Sequence, residues 1–448
     1  MTTREMLNRV LSSGAVLVLG SSVILWNILD IDMSIKIIGV MLLAIFFVWK
    51  NIFPLKNVDN LPSRIIGLVR GNELFLLGAI CVVFQTLAHV VLWLVLPQSL
   101  HWSVWLISVV LNLFIIVILM INSLVRLFVK SRQLSLTQRL LIVFLWWVPI
   151  VNVVVFYQVY KVTYTEYGTE RGRFLRNKKR KNLLICGTKY PILMVHGIFF
   201  RDWEAFNYWG RIPRELELNG AKIYYGDQVS SSSVEECAKE LKKRILDITK
   251  LEECKKVNVI AHSKGGLDTR YAISCLGMDE HIASLTTVNT PHRGCHFARK
   301  ALDNIPKDAV SFVSKNYNKL FKKLGDSKVD FFSGVSDLTD TECARLNKIM
   351  VDRKKVSYQS VGSEMRSAKS ATFPLSLGYK IIEAIDGDND GLVAVDSMKW
   401  GKFKLIKPIG KRGISHADMI DLTRKDIKGF DVREFYVDIV QSLKKEGF

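Results

Sequence analysis

The sequence predicts an α/β domain, with a mostly parallel sheet covered by helices on both faces. An all-α region of four to five transmembrane helices precedes it. Three observations carry that prediction. From residue 190 to the C-terminus, strand-like apolar runs alternate with helical patterns, which is the order that builds a parallel sheet. Five apolar stretches fill the first 160 residues, each near the ~20 residues that cross a bilayer. Residues 257–271, VNVIAHSKGGLDTRY, join a buried-strand pattern to a helix through small residues placed around a serine.

At 448 residues the chain has room for two or three domains. It carries 62 Lys+Arg against 42 Asp+Glu, a net charge of +20. Residues 1–160 hold 11 and 5 of these, leaving 51 and 37 for the remainder. The first part is therefore apolar, and the second has the balance of a soluble domain. A pI near 9.6 favours anionic partners, most simply the head groups of a membrane. No aromatic-interleaved basic ladder and no zinc-finger spacing is present, so nucleic acid is not expected as a partner. The seven cysteines are odd in number and dispersed, with no C-x-x-C pair. That pattern argues against a disulfide scaffold and a zinc site, and predicts free buried thiols.

In chain order, the apolar stretches run approximately 11–29, 35–53, 74–96, 102–125 and 139–160. The first lacks a small-residue cleavage site, so it reads as a span and not as a signal peptide. Trp49, Trp102 and Trp105 stand near stretch ends, as in interfacial belts. Gln85, His89 and Asn112 are lone polar residues within the stretches, and helix–helix hydrogen bonding is their expected role, ahead of a polar path. Arg4 and Arg9 precede the first stretch; Lys50, Lys56, Arg64 and Arg70 separate the second from the third; Arg126, Lys130, Arg132 and Arg139 separate the fourth from the fifth. This alternation places the amino terminus and both basic loops in the cytoplasm. Five crossings would put the following domain outside, whereas the basic run 171–181 favours the inside. Pro149 and Asn152 also interrupt the fifth stretch. The signals for sidedness point in opposite directions. The predicted domains are a transmembrane region at 1–160, a basic connector at 161–186 and the α/β domain at 187–448.

Within that domain, 190–195 is a strand ending in His196-Gly197-Ile198-Phe199-Phe200, and 221–225 is a second strand. Leu241, Ile245 and Ile248 recur at helical spacing before the serine turn. Residues 282–289 form the next strand, broken by Thr290-Pro291-His292-Arg293-Gly294. Residues 296–340 read as amphipathic helices, either a lid or plain packing helices. A strand at 356–361 and a helix at 432–444 close the chain.

The turn at 261–265, Ala-His-Ser-Lys-Gly, has a small residue two before the serine and a glycine two after it. A tight strand-to-helix turn needs both, because bulk would clash with a strained backbone. The hydroxyl of Ser263 is thereby presented above the sheet edge as a candidate nucleophile. A serine needs a base within hydrogen-bond reach, and in this topology the order is serine, acid, histidine. Of eight histidines only His416 lies beyond residue 296, which selects it. His262 adjoins the serine, but neighbours on a sharp turn point apart. Asp386, Asp388 and Asp390 in DGDNDGLV are the acid candidates. The same string begins like an EF-hand loop, but Ser397 stands where the twelfth-position glutamate belongs and no flanking helix pair is evident. Two backbone donors are expected to form an oxyanion hole, the N–H of Lys264 and that of Ile198.

The segments PILMVHGIF, AHSKGGLDTRY, NTPHRG, NDGLV followed by DSM, and SHADMID resemble the bacterial lipase branch of the α/β-hydrolases. The resemblance covers roughly residues 190–448 and does not extend to 1–160. It implies that Asp390 is the triad acid, and it supports Ile198 as an oxyanion donor. Several such lipases hold a structural calcium near the histidine. Asp418 matches one ligand position and the rest does not match, so neither metal nor cofactor is expected. Lys264 departs from the methionine or glutamine of many relatives, which keeps the backbone donor and points to a changed substrate preference. The expectation is a multi-pass, cell-membrane serine hydrolase acting on lipid or other acyl esters. The rivals are a phospholipase, thioesterase or acyltransferase on the same triad. From a different class comes a lipid-binding membrane sensor or transport component.

Overall fold

The computed structural model describes residues 3–55, 60–96, 100–198, 208–229, 231–304, 315, 318–319, 330–407 and 410–448. The chain divides into two compact units, Met1–Arg176 and Asn177–Phe448.

In the first unit, helices Met33–Ile52, Ser63–Val95 and Trp102–Lys130 are each long and apolar enough to cross a membrane. Met6–Gly20 and Ser22–Ile28 form a pair bent by 63°, which counts as a fourth crossing if the two act as one span. Large apolar side chains such as Leu42, Phe84, Trp93 and Phe114 are exposed on these helices. The lone polar residues meet at the bend. Asn112 Nδ2 and Ser108 Oγ both donate to Gly20 O, at 2.9 and 3.2 Å, and Gln85 Nε2 donates to Ser21 Oγ at 2.9 Å. They serve the backbone and side-chain groups exposed where the helix breaks. His89 Nε2 lies 3.0 Å from Ser108 Oγ.

The fifth apolar stretch is not one helix. Helix Leu136–Leu145 ends, and a second helix, Pro149–Arg180, begins at the proline. A residue without a backbone N–H cannot extend the preceding ladder but suits a first helical position. The second helix continues well past the apolar part, so most of the basic connector is helical.

The second unit holds a six-stranded, all-parallel sheet in the order β2-β1-β3-β4-β5-β6. The strands are β1 (Ile192–Val195), β2 (Ile223–Tyr225), β3 (Val257–His262), β4 (Ile282–Val288), β5 (Ser357–Ser363) and β6 (Lys402–Ile406). Side chains alternate between its faces. Ile192 and Met194 pack with Trp209, Ile212 and Tyr436, while Leu193 and Val195 pack with Leu241, Ile245 and Ile273. Helices thus cover both faces, which is why β1, β3 and β4 are buried along their whole length. The sequence reading missed β6. Its K-F-K-L-I alternates exposed lysines with half-buried apolar residues, as suits an edge strand. Helices His296–Asn304 and Phe331–Ser336 belong to the expected lid region. Most of what lies between them is outside the described residues. All seven cysteines are free, and Cys81, Cys186, Cys237 and Cys343 are buried.

Candidate active site

The site begins with a strained residue. Ser263 sits between the end of β3 and helix Lys264–Cys275, with φ 54° and ψ −132°. A non-glycine residue in such a conformation costs about 1–3 kcal/mol and persists only where its surroundings hold it. Here both sides hold it. A Cβ on Gly197 would lie 2.7 Å from Ser263 Cβ, and one on Gly265 would collide with the His196 carbonyl. Only glycine lets the loop after β1 and the serine turn approach this closely. From the β4 side, Thr290 Oγ1 donates to Ser263 O at 2.8 Å.

The acid and the histidine come together. His416 Nδ1 lies 2.6 Å from Asp390 Oδ2, and the His416 amide donates to Asp390 O at 2.9 Å. Asp390 is fully buried and His416 nearly so. Asp390 Oδ1 accepts from the amides of Leu392 and Val393 at 2.9 and 2.7 Å, and Oδ2 also accepts from Asn289 Nδ2 at 2.6 Å. With a carboxylate on Nδ1, the histidine carries its proton there and leaves Nε2 as an acceptor. Of the other two acid candidates, Asp386 pairs with His296 at 2.6 Å and Asp388 is exposed. Among the described residues no hydrogen bond joins Ser263 Oγ to His416. Such bonds are often loose until substrate arrives.

His262 occupies an unexpected place. Its ring packs against that of His416, with centroids 4.4 Å apart. Its Nδ1 lies 2.7 Å from Tyr208 OH, which accepts from the Gly197 amide at 3.0 Å. Burial, reinforced by His416, holds the His262 pKa well below the ordinary value. A neutral ring there spares His416 a neighbouring cation. The unfolded chain protonates this imidazole below a pH of about 6.5, whereas the folded one resists. Its contribution to stability is therefore complete above that pH and is lost as pH falls. Melting temperature is expected to drop as pH falls below about 6.5, and to drop less in His262→Asn, as calorimetry can show.

Lys264 turns inward. Its side chain is buried, with Nζ 2.6 Å from Asp268 Oδ1 and 3.3 Å from Cys237 Sγ. Burial pushes the Asp268 carboxyl up to about 7, against the pull of Lys264. Burial also opposes the Lys264 ammonium, but Asp268 and Cys237 outweigh it and hold the pKa above its usual range. The contact distance favours an ion pair. The lysine is thus engaged in the core, which removes the ground for reading it as a determinant of substrate preference. Lys264→Met leaves a buried carboxylate without its cation and is expected to cost about 3–5 kcal/mol. Lys264→Met/Asp268→Leu should recover most of that loss in denaturant titrations.

The amide of Lys264 opens a helix and so lacks an intrahelical acceptor. The amide of Ile198 stands on the loop after β1. That loop is pinned by His196, whose ring nitrogens face Gly197 O at 2.8 Å and Gln228 O at 3.1 Å, and by Gln228 Nε2 donating to His196 O at 2.9 Å. Phe199 and Phe200 lie outside the described residues. Asn289 and Thr290 were visible in the sequence only as part of NTPHRG, without a role. Together they bridge the acid and the serine turn, and Asn289 does so at φ 49°, a conformation asparagine tolerates better than most residues.

Among the described residues no group of three or more His, Cys, Asp or Glu side chains is placed to hold a metal ion. Asp418 accepts from the Ser415 amide and hydroxyl at 2.9 and 2.7 Å and pairs with Arg412 at 3.0 Å. That carboxylate is committed to its own turn and does not fit a calcium site.

Fold and site geometry together are those of an α/β serine hydrolase. The family described as "Putative serine esterase (DUF676)" matches residues 193–362. A triacylglycerol lipase of Vibrio cholerae is 33% identical over 237 residues, covering 48% of this chain and 75% of that protein. Triacylglycerol lipase 2 of Saccharomyces cerevisiae is 28% identical over 261 residues, covering 54% of this chain and 74% of that one. The crystal structure of Staphylococcus hyicus lipase aligns over 58% of this chain and 98% of that one, with 18% identity and a TM-score of 0.47. The chain belongs to the triacylglycerol lipase family and is a carboxylic ester hydrolase.

Proposed function

We propose that this is a membrane-anchored lipase that cleaves acyl esters of lipids at a triad of Ser263, His416 and Asp390. His416 Nε2 takes the Ser263 proton as Oγ attacks the ester carbonyl. The amides of Ile198 and Lys264 stabilise the oxyanion of the tetrahedral intermediate. Collapse expels the alcohol, which receives the proton from His416, and leaves an acyl-serine. Water, deprotonated by the same imidazole, then releases the fatty acid and restores the serine. Asp390 fixes the imidazole tautomer and balances its transient charge. The observation that carries this reading is the 2.6 Å Asp390–His416 contact beside the strained Ser263. The apolar helices of the first unit support integral attachment, and the basic loops between them support a cytoplasmic amino terminus.

The test uses membranes from cells expressing the full chain. Alkaline carbonate should leave the protein in the pellet, a fluorophosphonate probe should label it, and triacylglycerol should yield free fatty acid. Release by carbonate would refute the anchor. Labelling without free fatty acid, but with acyl groups moved to an added alcohol or amine, would make it an acyltransferase. Absence of both labelling and turnover would leave only a lipid-binding role.

A further inference from the structure

The expected acid turn, Asn389-Asp390-Gly391, is backed by helix Leu375–Asp386. Asn389 Nδ2 donates to Tyr379 O at 3.2 Å, and a Cβ on Gly378 would collide with Gly391 O. The approach to this helix is apolar and exposed: Phe373 is 78% exposed, Leu377 is 52% exposed, and Pro374 between them is exposed as well. Scattered single apolar residues on a surface need no explanation. These fall within five residues, at the start of the helix that backs the candidate acid turn. Beside the loop of Ile198, helix Phe331–Ser336 packs its Gly334 against Ile198 and leaves Phe332 48% exposed. Charge adds direction. Residues 366–382 carry Arg366, Lys369 and Lys380, all exposed, and no Asp or Glu, with Glu364 and the exposed Glu383 just beyond the two ends. Ser370 Oγ accepts from the Gly413 amide at 3.2 Å, which brings the loop of Lys411 and Arg412 alongside.

We infer that the Phe373–Leu377 segment is a docking surface for an anionic lipid bilayer, with Phe373 and Leu377 entering the acyl boundary and Lys369 and Lys380 meeting head-group phosphates. An exposed aromatic and an exposed leucine within a segment of three exposed cations match an interface that is apolar inside and negative at its surface. The inference rests on the lipase reading, since its use is to hold the site against its substrate.

The experiment uses the full chain carrying Ser263→Ala, so that lipid is not consumed. The protein is placed in nanodiscs of phosphatidylcholine alone, or with about a third phosphatidylglycerol, and hydrogen exchange is followed by mass spectrometry. Exchange in 366–380 is expected to slow severalfold in the anionic discs, and Phe373→Ser/Leu377→Ser should abolish that protection. With Ser263 intact, the same double substitution should lower hydrolysis of vesicle lipid roughly tenfold relative to a short soluble ester. Lys369→Glu/Lys380→Glu should remove any preference for anionic vesicles. Identical exchange in both kinds of disc would overturn the inference. So would protection that follows protein concentration and not lipid charge, because that marks a second copy. An intact chain that leaves soluble ester untouched would count against the lipase reading alone, and the exchange result would still decide the docking surface.

Discussion

Replacing Ser263 with alanine is expected to lower ester hydrolysis by of order 10³-fold or more while leaving the protein folded and in the membrane. Only a hydroxyl is lost, at a position where alanine bears the same backbone strain that serine bears at φ 54°. The effect is large because members of a triad act as a unit, and the residual rate comes from the oxyanion donors and binding alone. Turnover of a short soluble ester, normalised to folded protein, measures it. Activity within a few-fold of the original would remove Ser263 from the chemistry.

Asp390→Asn is expected to lose several orders of magnitude, about 10⁴-fold where the same change has been made in a serine protease. The amide would donate to His416 Nδ1, forcing the tautomer whose Nε2 carries a proton and cannot accept one from serine. It would also set an NH₂ group among four donors that now converge on the carboxylate, those of His416, Asn289, Leu392 and Val393. Asp386→Asn disturbs only a contact with the half-exposed His296, and Asp388→Asn changes an exposed side chain, so each should keep activity within about tenfold. Should Asp388→Asn prove the most damaging of the three, the acid has been assigned two residues late.

The serine turn was legible because it is local: a buried strand, a small residue, a serine, a glycine and a helix are all written within 257–271. The histidine followed from chain order, since only one lies far enough along. The acid did not. Three aspartates alternate with Gly387 and Asn389 in one loop, and only resemblance pointed to the third, the one that meets His416 in the folded chain. The remaining gaps are non-local. Nothing near His262 in sequence says that residue 416 will close over its ring, and although Asp268 stands at the local i,i+4 position from Lys264, nothing there says that the pair will be buried against Cys237. Asn289 and Thr290 act across 101 and 27 residues, respectively. Strand β6 was missed because its lysines dilute the apolar pattern by which buried strands are recognised. In the first unit Pro149 already marked an interruption of the 139–160 stretch, and the two helices Leu136–Leu145 and Pro149–Arg180 meet there.

The account stands most directly on one measurement. The full-length protein, in its membrane, is reacted with a fluorophosphonate, digested, and the adduct located by tandem mass spectrometry. A single phosphonylated residue, Ser263, is predicted, and its rate of formation should collapse in His416→Ala, where no base remains to take the proton. An adduct on any other serine, or undiminished labelling of the Ser263→Ala protein, would contradict it.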